Sequence, residues 1–590
     1  MIATNKRNTI LDTLKGISII AVALYHFGGN VLPYGYLGVD IFFVVGGYLL
    51  INQIKKQFEK GSFNYWSYIF RKAVRLWPLV ILASLVSLIV GYGLMLPNDY
   101  ENLAESVIAS SVFANNILQC ITTKNYWDIV NLYKPLMHFW YVGVLMQAYI
   151  LLPIIYLIAT KLGKNRDKSF KITTICVSLI SLSLFLVPSF STAWKFYYLP
   201  FRLFEITTGG LISLFSIRLS DKIKRVISFV SFALVICLLC FRHDLIGSNI
   251  KLLLIVIATT IFIYSTKDVK LEGTLSTIAN AFAEIGKRSY SIYIWHQVII
   301  AFLLYSVFPS QSWLSFIVFL VGTIAISLIS YRYIEIPLGM AVKNKKTEAF
   351  VIVFSFLIAV LISGVSFYVY LHAGVVRDVP ELNIERDSAH RGMHSEYCDR
   401  VYSWDRPFSE QSQTKVLVIG NSFGRDWANI LSEYDQDLDI SFFYYNEDRL
   451  PDIADRIEEA DYVFYALGLA YGEVPSTIIE YVDSDKLYII SNKNYGASNG
   501  IIYARRNTDD YYSQTVEFRD ELQEDISHNE DIWGSHFINM MNPVLTEENR
   551  IRVFTDDNRF ISQDCRHLTQ AGAQYYSRLL DLDGLFGKDN

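Results

Sequence analysis

Cysteine is scarce, with six in 590 residues, and none of the six stands at a spacing that metal ligation uses. The sequence therefore predicts no metal centre. Cys176, Cys237 and Cys240 fall in apolar blocks and read as lipid- or core-facing. Cys398 and Cys565 are the two in the polar C-terminal part. An oxidising compartment permits a disulfide between them, but sequence does not give their separation. No cleavable leader is expected, because the first apolar block runs straight into further apolar sequence. No internal repeat of the kind many transporters carry is visible. Charged residues make up only 18% of the chain, and they are missing altogether from Ala349 to Leu371, AFVIVFSFLIAVLISGVSFYVYL.

That uncharged stretch divides the molecule. As a helix rising ~1.5 Å per residue it spans a ~30 Å hydrocarbon core. KNKK, Lys343 to Lys346, precedes it, so the positive-inside rule predicts Lys346 in the cytosol and His372 outside. The net charge of −5 conceals a split: residues 379–590 carry 19 basic and 40 acidic side chains, a net of −21, and the remainder carries +16. Such a division suits basic cytosolic loops and a solvated outer domain, and it argues against a nucleic-acid partner. With hydrophobic residues at 52%, we read eleven spans, at roughly 9–27, 38–54, 76–96, 139–158, 172–188, 199–217, 226–241, 250–265, 290–308, 314–332 and 349–371. The predicted outer loops then carry only Lys124, Lys134, Lys195 and Arg242. An odd number of spans places the C-terminal part outside when the N-terminus is inside.

Several spans hold groups that are costly in lipid and therefore read as functional. LDTLKGISIIAVALYHF places Lys15 and His26 eleven residues apart, three helical turns along one face. The plainer reading is a snorkelling lysine and an interface histidine. Arg71, Lys72 and Arg75 lie at the edge of the third span, in FRKAVRLWPLV. His138 and Gln147 stand in KPLMHFWYVGVLMQAYI, and Arg202 and Glu205 stand one turn apart in FYYLPFRLFEITTGG. IGKRSYSIYIWHQVI holds His296. Over about residues 8–340 these blocks resemble the membrane-bound acyltransferase-3 family. The resemblance implies a cytosolic acyl-CoA donor, usually acetyl-CoA, and an acceptor on the far side. The family's first-span basic residue and histidine fall on Lys15 and His26, with Lys where Arg is usual, and His26 matches its proposed acid/base or acyl-handling residue. Its second basic motif falls on Lys72 and Arg75, beside Arg71; such a cluster suits CoA phosphates. Two family features are missing. Leu145 and Met146 stand where a pair of Glu residues is usual, and Gly46 stands where a Ser is usual. His138, Glu205 or the outer domain then becomes a candidate for activating the acceptor.

Beyond a polar linker at 379–411, short apolar runs at 415–420, 442–445, 462–467, 487–490 and 551–554 read as strands. Helical stretches fall at 425–433, 451–460, 512–526 and 568–583. This alternation predicts an α/β domain with a mainly parallel sheet. GNSFGRDW puts Ser422 in a tight turn after the first strand, where such sheets present nucleophiles. DCRHLTQAGA puts Asp564 and His567 three apart. Together the three residues suit a relay in which Ser422 attacks, His567 takes its proton and Asp564 orients the imidazole. Over about residues 412–586 this pairing resembles the SGNH hydrolase superfamily, which implies these same roles. Asn421 stands where Asp is usual, and Gly468-Leu469-Ala470 replaces the Gly-x-Asn after the third strand. The oxyanion donors are then the Ser422 backbone N–H and, less directly, Asn494.

The fold expected is thus a polytopic α-helical membrane domain (1–345), a linking eleventh helix (346–378), a linker (379–411) and an SGNH-like α/β domain (412–590). The combined resemblance is to envelope polysaccharide O-acyltransferases of the bacterial inner membrane. It implies acetyl transfer from cytosolic acetyl-CoA to a lipid-linked glycan outside, lipopolysaccharide O-antigen first and peptidoglycan as the alternative. A transporter with an outer binding domain and a membrane-tethered esterase are the rival readings.

Overall fold

The computed structural model describes the chain except residues 1–7, 28–31, 124–128, 164, 217–218, 243–244, 268, 270–271, 307–311, 343, 376, 378, 384–393, 411–413, 468–473 and 588–590. Lys124, Lys343, Asp378 and the Gly468-Leu469-Ala470 segment therefore lie outside the described residues. Two units emerge, one of residues 1–94 and 103–367, the other of residues 95–102 and 368–590.

In the first unit, long, predominantly apolar runs form helices because only a helix satisfies its backbone internally in lipid. We label α1 Thr9–Phe27, α2 Gly38–Glu59, α3 Tyr65–Leu94, α4 Phe139–Leu162, α5 Arg166–Leu186, α6 Leu199–Leu214, α7 Asp221–Cys240, α8 Ser248–Thr266, α9 Gly273–Gly286, α10 Ser289–Tyr305, α11 Trp313–Ser330 and α12 Lys345–Leu371. Among the described residues nine helices are long and apolar enough to cross a membrane. The predicted spans at 199–217 and 290–308 appear as the shorter helices α6 and α10. The amphipathic helix α9 was not expected. It lies on α1 at backbone contact: a Cβ on Gly286 would come within 1.8 Å of the Asp12 carbonyl oxygen. The same device seats α2 on α6, where a Cβ on Gly47 would meet the Ile206 oxygen at 1.8 Å. Small residues at such crossings let helices approach where no hydrophobic force drives them together.

The second unit is built on a five-stranded parallel sheet. Its strands are β1 Lys415–Gly420, β2 Asp439–Tyr444, β3 Tyr462–Ala466, β4 Leu487–Ile490 and β6 Phe537–Ile538, in the order β2-β1-β3-β4-β6. Alternate residues of β1 serve two cores. Val416 and Val418 pack with Trp427 and Tyr576 on one face, and Leu417 and Ile419 pack with Leu450 and Ile478 on the other. A strand buried on both faces must read as a continuous apolar run, and KVLVIG does. Two sequence expectations are corrected. The run at 551–554 is not in this sheet; Arg550–Arg552 (β7) pairs antiparallel with Thr515–Glu517 (β5). The fifth parallel strand is the two-residue β6, too short to carry a pattern. The helix expected at 512–526 begins later, at Asp520–Trp533 (α14), because β5 occupies its first residues. Ser422–Tyr434 (α13) and Gln570–Leu579 (α15) fall where helices were expected.

Residues 95–102 belong to this unit. Leu96 joins its core, Arg377 donates to the Met95 carbonyl at 2.6 Å, and the Asn98 amide donates to the Gln563 carbonyl at 3.4 Å. Gly374 closes the packing: its φ is +77°, and a Cβ there would stand 1.8 Å from the Pro97 oxygen.

Candidate active site

The second unit places a hydroxyl, an imidazole and a carboxylate in line. β1 ends at Gly420, and the Asn421 side chain caps α13 by accepting from the Phe423 N–H at 2.9 Å. Its amide also donates to the Leu467 carbonyl, which fixes the turn from both sides. Ser422 is thereby the first residue of α13, where free backbone N–H groups favour developing negative charge. Its Oγ lies 2.8 Å from His567 Nε2. His567 Nδ1 lies 2.6 Å from Asp564 Oδ2, and Asp564 Oδ1 accepts the backbone N–H groups of Arg566 at 2.9 Å and His567 at 2.7 Å. Folding the four-residue turn back on itself requires a left-handed residue, supplied by Cys565 at φ +70°. Burial pushes the Asp564 carboxyl up, but its hydrogen bonds to the His567 ring and to the two N–H groups outweigh this and hold it below its ordinary value. The carboxylate is thus ionised and the imidazole is held with Nε2 facing Ser422, the arrangement a serine nucleophile needs.

A residue not singled out by sequence ties this together. Asp426, one turn into α13 and 2% exposed, accepts the Leu568 N–H at 3.0 Å and pairs with Lys493 at 2.9 Å. It links the helix carrying Ser422 to the residue after His567. The only signal in the sequence is an acidic residue on the buried face of an amphipathic helix. Asn494 plays no comparable part: its amide oxygen accepts the Gly496 N–H at 2.9 Å within its own turn. The cysteines are not bridged. Cys398 Sγ faces the Leu568 carbonyl at 3.8 Å and Cys565 Sγ faces Asn499 at 3.2 Å, both as buried free thiols.

The first unit holds a cavity of about 650 Å³. Lys15, Lys72 and Arg75 line it, together with Lys56, Lys60 and Lys287, which sequence reasoning had not grouped with them. Arg71 is exposed and does not line it. Lys15 is held by Asp12 at 3.3 Å; Lys72 donates to Gln53 at 3.0 Å and lies over the Tyr149 ring at 4.5 Å. Leu145 and Gly46, the two departures from the family pattern, face each other in its wall, where a Cβ on Gly46 would be 3.9 Å from Leu145 Cδ1. Phe42, Tyr141 and Tyr293 also line the cavity, with the Tyr141 and Tyr293 rings 5.1 Å apart. Tyr293 in turn packs on a buried cluster of His26, His138 and His296, its ring 6.0 Å from His138 and 5.5 Å from His296. His138 and His296 are thus brought to His26, from three different helical segments. Arg202 and Glu205 pair at 2.7 Å as expected, and Asp40 from α2 joins them at 2.9 Å from the same guanidinium nitrogen. That cluster is fully enclosed, so Glu205 is an ion-pair partner in the α2–α6 packing.

A profile described as an acyltransferase domain, that of acyltransferase-3, matches residues 8–332. The chain belongs to the acyltransferase-3 family. It is similar to the peptidoglycan O-acetyltransferase OatA of Listeria monocytogenes, with 28% identity over 352 residues, 56% of this chain and 55% of that protein. It is also similar to the O-acetyltransferase OatA of Staphylococcus aureus, with 27% identity over 370 residues and 58% of each chain. The chain thus spans little more than half the length of these relatives. No solved structure matches it. As an acyltransferase-3 protein it carries its acyltransferase domain in a many-helix part suited to a multi-pass membrane protein, followed by a mainly parallel α/β domain.

Proposed function

We propose that this protein O-acetylates a polysaccharide of the bacterial cell envelope, taking acetyl groups from cytosolic acetyl-CoA and delivering them beyond the inner membrane. The observation that carries this reading is the Ser422–His567–Asp564 alignment in a chain whose membrane half belongs to the acyltransferase-3 family. The donor half of the reading rests on the cavity: six cations converge on it, and nucleotide and pyrophosphate oxygens are the chemistry such a lining recognises. His26, beyond the aromatic floor, handles the acyl group from there. The charge asymmetry of the loops supports a cytosolic donor side and an extracytoplasmic Ser422. Ser422 gives its proton to His567 as it attacks the acetyl group delivered from the membrane half, and the imidazolium protonates the group that leaves; His567 then takes the proton of a sugar hydroxyl as that oxygen attacks the acetyl-serine, and returns it to the departing Ser422 oxygen. The SGNH-like placement of Ser422 just after the first strand, at the start of α13, supports the same assignment.

Among acceptors, the similarity to the peptidoglycan O-acetyltransferase of Listeria monocytogenes favours peptidoglycan over the O-antigen expected from sequence. The deciding experiment measures base-labile acetate on purified peptidoglycan and on purified surface polysaccharide from cells with the gene, without it, and with Ser422→Ala. Loss of acetate from one glycan in both altered strains identifies the acceptor. Unchanged acetate on every glycan refutes the proposal.

A further inference from the structure

The outer relay and the cationic cavity leave the clustering of three histidines unexplained. One ring nitrogen from each of His26, His138 and His296 lies within 4.8 Å of the other two, and His138 Nδ1 is 3.0 Å from His296 Nε2. All three side chains are buried, at 5%, 3% and 0% exposed. They come from α1, from the N-cap of α4 and from α10.

We propose that His26, His138 and His296 form a binding site for a borderline divalent transition-metal ion, with Zn²⁺ as the reference case. The tautomers support it first. His26 Nδ1 faces the Val22 carbonyl at 2.7 Å and His296 Nδ1 faces the Ile292 carbonyl at 3.1 Å. A carbonyl only accepts, so both Nδ1 atoms carry the proton and both Nε2 atoms carry lone pairs. A ligating histidine is usually held in this way, by giving its other N–H to a backbone carbonyl. Distance supports it second. Zn–N bonds of ~2.0–2.1 Å set donors ~3.3 Å apart in a tetrahedron. One pair, His138 Nδ1 and His296 Nε2, already lies at about that separation, as an N–H···N hydrogen bond whose proton an ion would displace to His138 Nε2, and the third nitrogen closes on it by at most about 1.5 Å, which side-chain rotation supplies. The donor set decides the class of ion: three neutral imidazoles without an oxygen ligand suit zinc, copper, iron or nickel and disfavour Mg²⁺ and Ca²⁺. Three protein ligands leave a fourth position open, the pattern of catalytic rather than structural zinc. An occupied site would recast His26: its Nε2 would hold the ion, and the ion's open coordination position would supply Lewis acidity near the aromatic floor of the cavity. The proposal goes beyond the acetyl-transfer reading and does not depend on it, because its test reads metal and not acetate.

The test uses full-length protein, extracted in detergent through a tag without histidines from cells grown with trace metals. Elemental analysis is expected to find about one equivalent of a first-row divalent ion, falling to background in His138→Gln and His296→Gln and unchanged in the control His372→Gln. X-ray absorption at that metal's edge should show nitrogen at ~2.0–2.1 Å with imidazole outer-shell scattering. This second measurement needs no variant, so it decides the matter even if the substitutions prevent folding. Wild-type protein that carries no metal and takes up no stoichiometric Co²⁺ overturns the proposal and leaves the three rings as a hydrogen-bonded imidazole chain. A bound metal without imidazole scattering overturns it equally.

Discussion

At the scale of single residues, Ser422, His567 and Asp564 act as a unit, so their losses do not add. Ser422→Ala and His567→Ala are each expected to lower glycan acetylation by ~10³–10⁶, with the double variant no worse than either; acetate release from purified glycan measures all three. The hydrogen bonds that lower the Asp564 carboxyl keep it ionised through the ordinary carboxylate range, so its hold on the imidazole is lost only as pH falls through that lowered value. His394 gives a separate pH signature. Burial lowers it to about 4, and its Nε2 has no hydrogen-bond partner among the described residues. The unfolded chain therefore binds a proton that the folded chain refuses between about pH 6.5 and about 4, and up to about 3 kcal/mol of stability is lost across that window as pH falls. His394→Asn, which also tolerates the left-handed backbone there at φ +58°, should flatten the dependence of the melting temperature on pH. Lys15→Ala is expected to weaken the donor side and Lys15→Arg to keep it, as read by acetylation at limiting acetyl-CoA.

At the scale of elements, two contacts carry more than their size suggests. The α2–α6 crossing has no room for a side chain at Gly47, and Gly47→Val should cost ~1–3 kcal/mol or more through overpacking, seen as a lower melting temperature in detergent. In the second unit, Asp426→Ala leaves Lys493 buried without its partner, an expected loss of ~3–5 kcal/mol. These elements also mark where the sequence was readable. KVLVIG had to be a doubly buried strand, and a serine directly after it had to sit at the sheet's carboxyl edge. The relay was legible because its partners lie in one tight turn whose spacing of three survives folding. The histidine cluster was not: His26, His138 and His296 are over a hundred residues apart from one another along the chain, and only helix packing gathers them. β6 was invisible because two residues carry no period, and α9 because an amphipathic fourteen-residue helix does not look like a span.

At the scale of the whole molecule, the uncharged run Ala349–Leu371 within α12 stands in sequence between a basic part and an acidic one, and loop charge is the argument for the assignment of sides. A reporter active only outside the cytosol should work when fused after Asn590 and stay silent when fused at Lys345; the opposite pattern would remove the two-sided scheme. Half of this architecture declared itself through hydropathy alone. The boundary between the two units did not, because the second unit draws in residues 95–102 from far up the chain. Leu96 fills its core, and Asn98 holds the carbonyl of Gln563, the neighbour of Asp564. This makes the second unit a composite encoded in two places, which bears on how such proteins can be recombined. A graft that exchanges only the C-terminal coding region between relatives would join a foreign sheet to a native 95–102 segment and misplace the turn that carries the acid and base. The smallest transferable cassette is therefore a pair of fragments, and chimeras that move both should outperform those that move one.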